Sequence, residues 1–189
     1  MILVGLALGL TFVWHSGVNG GALSGFLHPL LGVDHLLAMV GVGMLSAQIG
    51  GRAIWYVPTT FVAVMAVGGL LGILGLELPL VEYGITGSVL ALGAAIVAKR
   101  SVPIWLAMIF VGIFALFHGH AHGTELPSAA ETVGYVVAYV SGFLMATAGL
   151  HLIGAFLGMM AERSRRGDLL LRASGAMIAL IGVFLISQV

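Results

Sequence analysis

Residues 102–122 read VPIWLAMIFVGIFALFHGHAH, with Lys99 and Arg100 shortly before them and Glu125 shortly after. No Lys, Arg, Asp or Glu interrupts the run. As a helix rising 1.5 Å per residue it reaches about 30 Å, the thickness of a bilayer's hydrocarbon core. Working outward, comparable apolar runs recur at roughly 29–49, 53–76, 79–98, 132–160 and 169–187. Composition agrees: 7% of the 189 residues are charged and 60% hydrophobic, where a soluble domain carries about 25% charged residues. Glycine, at 29 residues, is about twice as common as usual, which suits membrane helices whose backbones approach closely. The expected fold is all-α, a polytopic transmembrane helix bundle of six long helices.

A seventh stretch, Ile2–Trp14, is too short to span and suits a signal-peptide core. No Lys or Arg precedes it, and Gly20-x-Ala22 is its one tolerable small-residue cleavage site. The expectation is a signal-like segment at 1–22, its cleavage left open, and one transmembrane domain at 23–189. The helices then number six or seven.

Seven basic and seven acidic residues cancel, so the chain has no basic face for nucleic acid. Without cysteine it has no disulfides, thiolate metal sites or cysteine nucleophiles. It has no Gly-rich phosphate loop, which excludes ATP-driven pumping by this chain alone. The bilayer is its expected partner, and homo-oligomerisation is open.

The few charges orient the chain. Arg52, then Lys99 and Arg100, then Arg163, Arg165, Arg166 and Arg172 follow alternate apolar runs. The loops between carry Glu77 and Glu82, then Glu125 and Glu131, and no Lys or Arg. Basic loops stay cytoplasmic, so in a bacterial-type inner membrane the acidic loops and the segment from His15 to Leu27 face outward. Trp55, Tyr56 and Trp105 fall near the inner interface and Tyr83 near the outer. Small residues four apart, at Gly68/Gly72, Gly84/Ser88, Gly142/Ala146, Gly154/Gly158 and Gly175/Ala179, mark candidate helix contacts. The spans also divide three plus three in opposite orientation, as in an inverted repeat.

Seven histidines in so uncharged a chain are its chemical signal. His28, Asp34 and His35 enter from the outer side, and His118, His120, His122 and Glu125 leave toward it. His15 belongs to the outer N-terminal segment, and His151 lies deeper, within the fifth long run. On continuous helices His35 lies about 9 Å, and His118 about 6 Å, below the outer boundary. A carboxylate at such depth costs about 2–3 kcal/mol unless paired or hydrated, so intramembrane ionisable groups mark function.

If residues 28–39 form one helix, His28 and His35 stand nearly in line, with Met39 on the same stripe. Asp34 is about 100° away, placed to orient His35 by accepting its second ring N–H. Met39 is better suited to packing than to ligation. His118, His122 and Glu125 follow i, i+4, i+7 and share a face, while His120 points elsewhere. Gly119 and Gly123 could break that helix, so the geometry is conditional. His151 reads equally as a lower relay site or as a histidine bonded to a neighbouring helix. Imidazole and carboxylate without thiolate suit Ni²⁺, Co²⁺, Zn²⁺ or Cu²⁺.

The run His28-Pro29-Leu30-Leu31-Gly32-Val33-Asp34-His35-Leu36-Leu37-Ala38-Met39 resembles a signature of the HupE/UreJ family of nickel permeases. Phe117-His118-Gly119-His120-Ala121-His122-Gly123-Thr124-Glu125 resembles its other signature. The resemblance implies nickel transport, with cobalt in some members, serving hydrogenase and urease. It assigns function to His28, Asp34, His35, His118, His122 and Glu125. It also implies a cleaved signal peptide leaving a histidine near the new N-terminus. His15 is the candidate, although Phe12-Val13-Trp14 departs from a cleavage site.

The expected function is thus a secondary transporter, not an enzyme. It holds no permanent cofactor and carries a divalent metal, nickel first, inward from a site near the outer face. Rival readings are an intramembrane zinc hydrolase using Glu125 or Asp34 as base, a haem-binding electron carrier, and a metal-binding accessory subunit. The topology is testable in this cysteine-free background. Cysteines at Ser128 and Ser164 should label from opposite sides; labelling of both from outside by an impermeant reagent contradicts it.

Overall fold

The computed structural model describes residues 18–99, 102–126 and 132–189. The stretch Ile2–Trp14, His15, Arg100 and Glu131 lie outside the described residues. Those residues form seven helices and no strand: α1 (Val18–Leu31), α2 (Val33–Ile49), α3 (Ala53–Ile73), α4 (Val81–Ala98), α5 (Ile104–Thr124), α6 (Val133–Arg163) and α7 (Gly167–Ile186). α3 to α7 are each long and apolar enough to cross a membrane, and the bent α1–α2 pair counts as a sixth span.

The expectation of one straight helix over 29–49 is corrected. The chain turns by 80° between α1 and α2, at Gly32, whose backbone is extended (φ −84°, ψ 116°). Pro29 lies just before the turn and has no N–H to continue the helical ladder. Space at 32 is tight: a Cβ there would stand 3.0 Å from Asp34 Oδ1 and 3.2 Å from His35 Nδ1, so the Asp34–His35 pair would have to shift by a few tenths of an ångström. His28 and His35 therefore belong to different helices and do not share a stripe with Met39.

The principal packed pairs are α1 with α6, α2 with α6, α3 with α5 and α4 with α7. Each joins an early helix to a late one. Lipid removes the hydrophobic drive for helix association, so close van der Waals packing through small residues has to supply it. A Cβ on Gly119 would strike the Met65 carbonyl, and one on Gly123 the Gly69 carbonyl. Gly68 and Gly72 of α3 are pressed in turn against the Leu116 and His120 carbonyls. The glycines that threatened to break α5 are thus its contact with α3, and the helix runs unbroken to Thr124. Gly25 and Gly142 do the same for α1 and α6, Gly43 and Gly154 for α2 and α6, and Gly93 and Gly175 for α4 and α7.

The ends of the bundle separate by charge. At one end Lys99 lies 3.0 Å from Glu162 and also bonds Asp168, tying α4 to α6 and α7. Its hydrogen bonds to Asp168 and then Glu162 hold the Lys99 ammonium above the ordinary lysine range. At the other end His28 of α1 meets Glu125 at the end of α5, and His120 of α5 bonds Leu76 just past α3.

The glycine contacts make a prediction away from the site. Gly93→Leu should destabilise the protein by about 1–3 kcal/mol through overpacking. Gly87→Ala, where a new Cβ meets nothing within 4 Å, should leave stability unchanged or slightly raised. Thermal unfolding in detergent compares the two; equal melting temperatures would contradict the packing.

Candidate metal centre

Folding α1 back on α2 places His28 beside the first turn of α2, and α5 runs past both. The His28 and His122 ring centroids are 4.6 Å apart, His35 and His122 4.4 Å, and His35 and His118 4.9 Å. His28 and His35 lie 6.3 Å apart. Four of the six sequence candidates thus form one cluster of imidazoles in edge contact. The remaining two flank it: Asp34 beside His35, and Glu125 with Oε2 3.7 Å from His28 Nε2.

Burial grades the cluster. The His28 side chain is 34% exposed and that of Glu125 43%, so these form its mouth. His122 and His35 are buried behind them, and His118 is fully buried.

Hydrogen bonds set the ring tautomers. Asp34 Oδ1 accepts from the His35 backbone N–H and from His35 Nδ1, both at 2.8 Å. The neutral imidazole then carries its lone pair on Nε2, which is buried without a partner. His118 Nδ1 donates to the Phe114 carbonyl one turn earlier, at 2.9 Å, leaving Nε2 unshared in the same way. Neither ring nitrogen of His122 has a partner. His28 Nδ1 shares a 3.2 Å hydrogen bond with the Tyr139 hydroxyl. Two donor nitrogens are thereby oriented by neighbours that cannot donate, an arrangement that raises ligand basicity.

Glu125 caps α5 beyond its last turn. Burial, and then the neighbouring Glu82 and Asp34 carboxylates, hold it above the ordinary glutamate range against the pull of His35.

The other candidates separate. His120 turns away from the cluster, its Nε2 donating to the Leu76 carbonyl at 2.6 Å. Met39 is fully buried in the apolar core with Ala38 and Val42. His151 of α6 is buried against Phe61, whose ring contacts His151 at 5.1 Å and His118 at 5.7 Å. His15 lies outside the described residues. Among the described residues, no three His, Asp or Glu side chains already stand in an arrangement that could hold a metal ion. The rings pack on one another instead.

Sequence reasoning missed Phe61, Tyr139, Phe143 and Gly32. Phe143 sits 3.9 Å from the His122 ring, centroid to centroid. Aromatic residues within apolar helices carry no local signal of what they face.

The chain matches the family model described as HupE / UreJ protein over residues 3–185. It is 44% identical to "Protein HupE" of Rhizobium leguminosarum bv. viciae over 184 residues, covering 95% of this chain and 93% of that protein. No solved structure matches it. With its apolar spans, it is an integral protein of the bacterial inner membrane, and it belongs to the HupE/UreJ family, a group of transporters associated with nickel and cobalt.

Proposed function

We propose that the chain is a permease that takes a divalent transition-metal ion, nickel first and cobalt as the alternative, from the outer side into the cytoplasm. The observation that carries this reading is the cluster of His28, His35, His118 and His122, ordered from exposed to buried and flanked by two carboxylates. Nitrogen and carboxylate donors suit late first-row divalent ions. His28 and Glu125 receive the ion at the mouth, and His122, His35 and His118 take it inward. Asp34 acts through His35 by fixing its tautomer and adding negative charge. The inside-negative potential favours entry by about 2.3 kcal/mol per charge per 100 mV, so a divalent ion needs no ATP.

A haem carrier is disfavoured by the same geometry. Imidazoles in mutual contact leave no flat gap for a macrocycle between them.

Uptake of Ni²⁺, Co²⁺, Zn²⁺ and Cu²⁺ into proteoliposomes tests the proposal. Ni²⁺ should accumulate, faster under an inside-negative potential. His118→Ala and His122→Ala should each abolish uptake, whereas His120→Ala should retain most of it, since its ring is engaged with Leu76. A loss in His120→Ala as severe as in the other two would contradict the ligand assignment.

Asp34→Asn should weaken Ni²⁺ binding about 10–100-fold, the usual cost of losing a carboxylate behind a ligating histidine. Calorimetry at fixed pH reads the change, and wild-type affinity would remove Asp34 from the account.

Affinity should also fall between pH 7.5 and 5.5. Imidazole binds metal only when neutral, and its ordinary pKa is about 6.5. Glu125, with its pKa raised, loses its charge at higher pH than an ordinary glutamate, which acts in the same direction. Affinity constant across that range would contradict histidine ligation.

A further inference from the structure

Beyond the outer cluster, α6 buries two polar side chains that the proposed capture site does not use. His151 is 1% exposed and neither of its ring nitrogens has a hydrogen-bond partner. Thr147, one turn earlier on the same face, is fully buried, and its Oγ1 has no partner for its hydrogen-bonding capacity. Buried polar atoms are almost always paired, so three unpaired ones on adjacent turns call for an explanation. Packing alone supplies none, because apolar side chains of similar size would fill the space without burying polar groups.

Their position supplies one. The Phe61 ring is in edge contact with both His118, the deepest of the outer imidazoles, and His151. His151 stands twelve residues before Arg163, so about 18 Å from the basic end of α6. Counted the same way from the inner ends of their helices, His118 of α5 lies about 21 Å away, His151 about 18 Å and Phe61 of α3 about 12 Å, so His151 sits a little inward of His118 and beside Phe61.

We propose that His151 and Thr147 form a second, inner station for the transported divalent ion, reached from His118 along the edge of the Phe61 ring. This rests on the transport reading above. An imidazole nitrogen and a hydroxyl oxygen are its donors, and water completes the ion's shell. Neither donor is anionic, unlike the outer cluster with Asp34 and Glu125. The inner station therefore binds more weakly than the outer one. That gradient suits passage, which needs sites strong enough to admit an ion and weak enough to release it. The membrane potential, not site affinity, draws the ion inward.

The test uses the full chain, wild type and the variants His151→Leu and Thr147→Val, the second nearly isosteric. Equilibrium dialysis with Ni²⁺ should show one tight and one weaker equivalent in wild type. In His151→Leu the tight equivalent should stay within twofold in affinity while the weaker one disappears. Initial Ni²⁺ uptake into proteoliposomes should fall at least tenfold in His151→Leu and several-fold in Thr147→Val. The retained tight site reports that the variants are folded. Uptake within twofold of wild type in both variants, with the weaker equivalent intact, overturns the inner station alone. Wild-type protein that neither binds nor carries Ni²⁺ overturns the transport reading and the station with it.

Discussion

Between His28 and His35 the chain turns by 80° at Gly32, and the hydrogen-bonded Asp34–His35 pair packs tightly against the place a side chain at 32 would begin. The turn brings an imidazole from α1 against one from α5. It also sets His28 within reach of Glu125. Were α1 and α2 one straight helix, a seven-residue separation would put His28 and His35 about 10 Å apart along its axis. Across the bend their rings lie 6.3 Å apart. Pro29 and Gly32 thus shape the site through the turn, and Asp34 through its hydrogen bonds to His35.

The bundle around that turn is closely packed where it carries the site. α5 carries His118 and His122, and its glycines seat it directly on the backbone of α3. Side chains on a helix held that closely have little freedom to shift along the membrane normal. α6 is fixed against α1 through Gly142 and against α2 through Gly154, which places Tyr139 and Phe143 on the cluster and His151 below it. Neutral histidine suits such an interior. It offers a lone pair to a cation yet avoids the cost of a permanent buried charge. The two carboxylates stay near the exposed mouth, where their desolvation is least costly.

Much of this was legible in residue order alone. Apolar runs bounded by charge marked the spans, and the alternation of Arg52, Lys99 and Arg163 with Glu77 and Glu125 grouped the loop ends that the structure brings together. Spacing on α5 separated His120 from His118 and His122, and the adjacency of Asp34 and His35 pointed to an orienting carboxylate. Other features were not legible because they depend on what lies across the bundle. Apolar residues continue on both sides of Gly32, so hydropathy alone could not distinguish a bend from a straight span, although Pro29 and Gly32 mark where a helix can break. Gly119 and Gly123 read as helix breakers until the α3 backbone occupied the space they leave. Phe61 looks like any core aromatic until both His118 and His151 are found against its ring.

The central claim is that one metal ion is held by imidazoles drawn from both α5 and the α1–α2 turn. X-ray absorption at the nickel edge, on protein loaded with one equivalent of Ni²⁺, tests it most directly. The account predicts two or more imidazoles in the ion's shell, recognisable by multiple scattering from the outer ring atoms, and no sulfur. The imidazole count should fall in both His35→Ala and His122→Ala. A shell of oxygens alone, or one unchanged by either substitution, would contradict it.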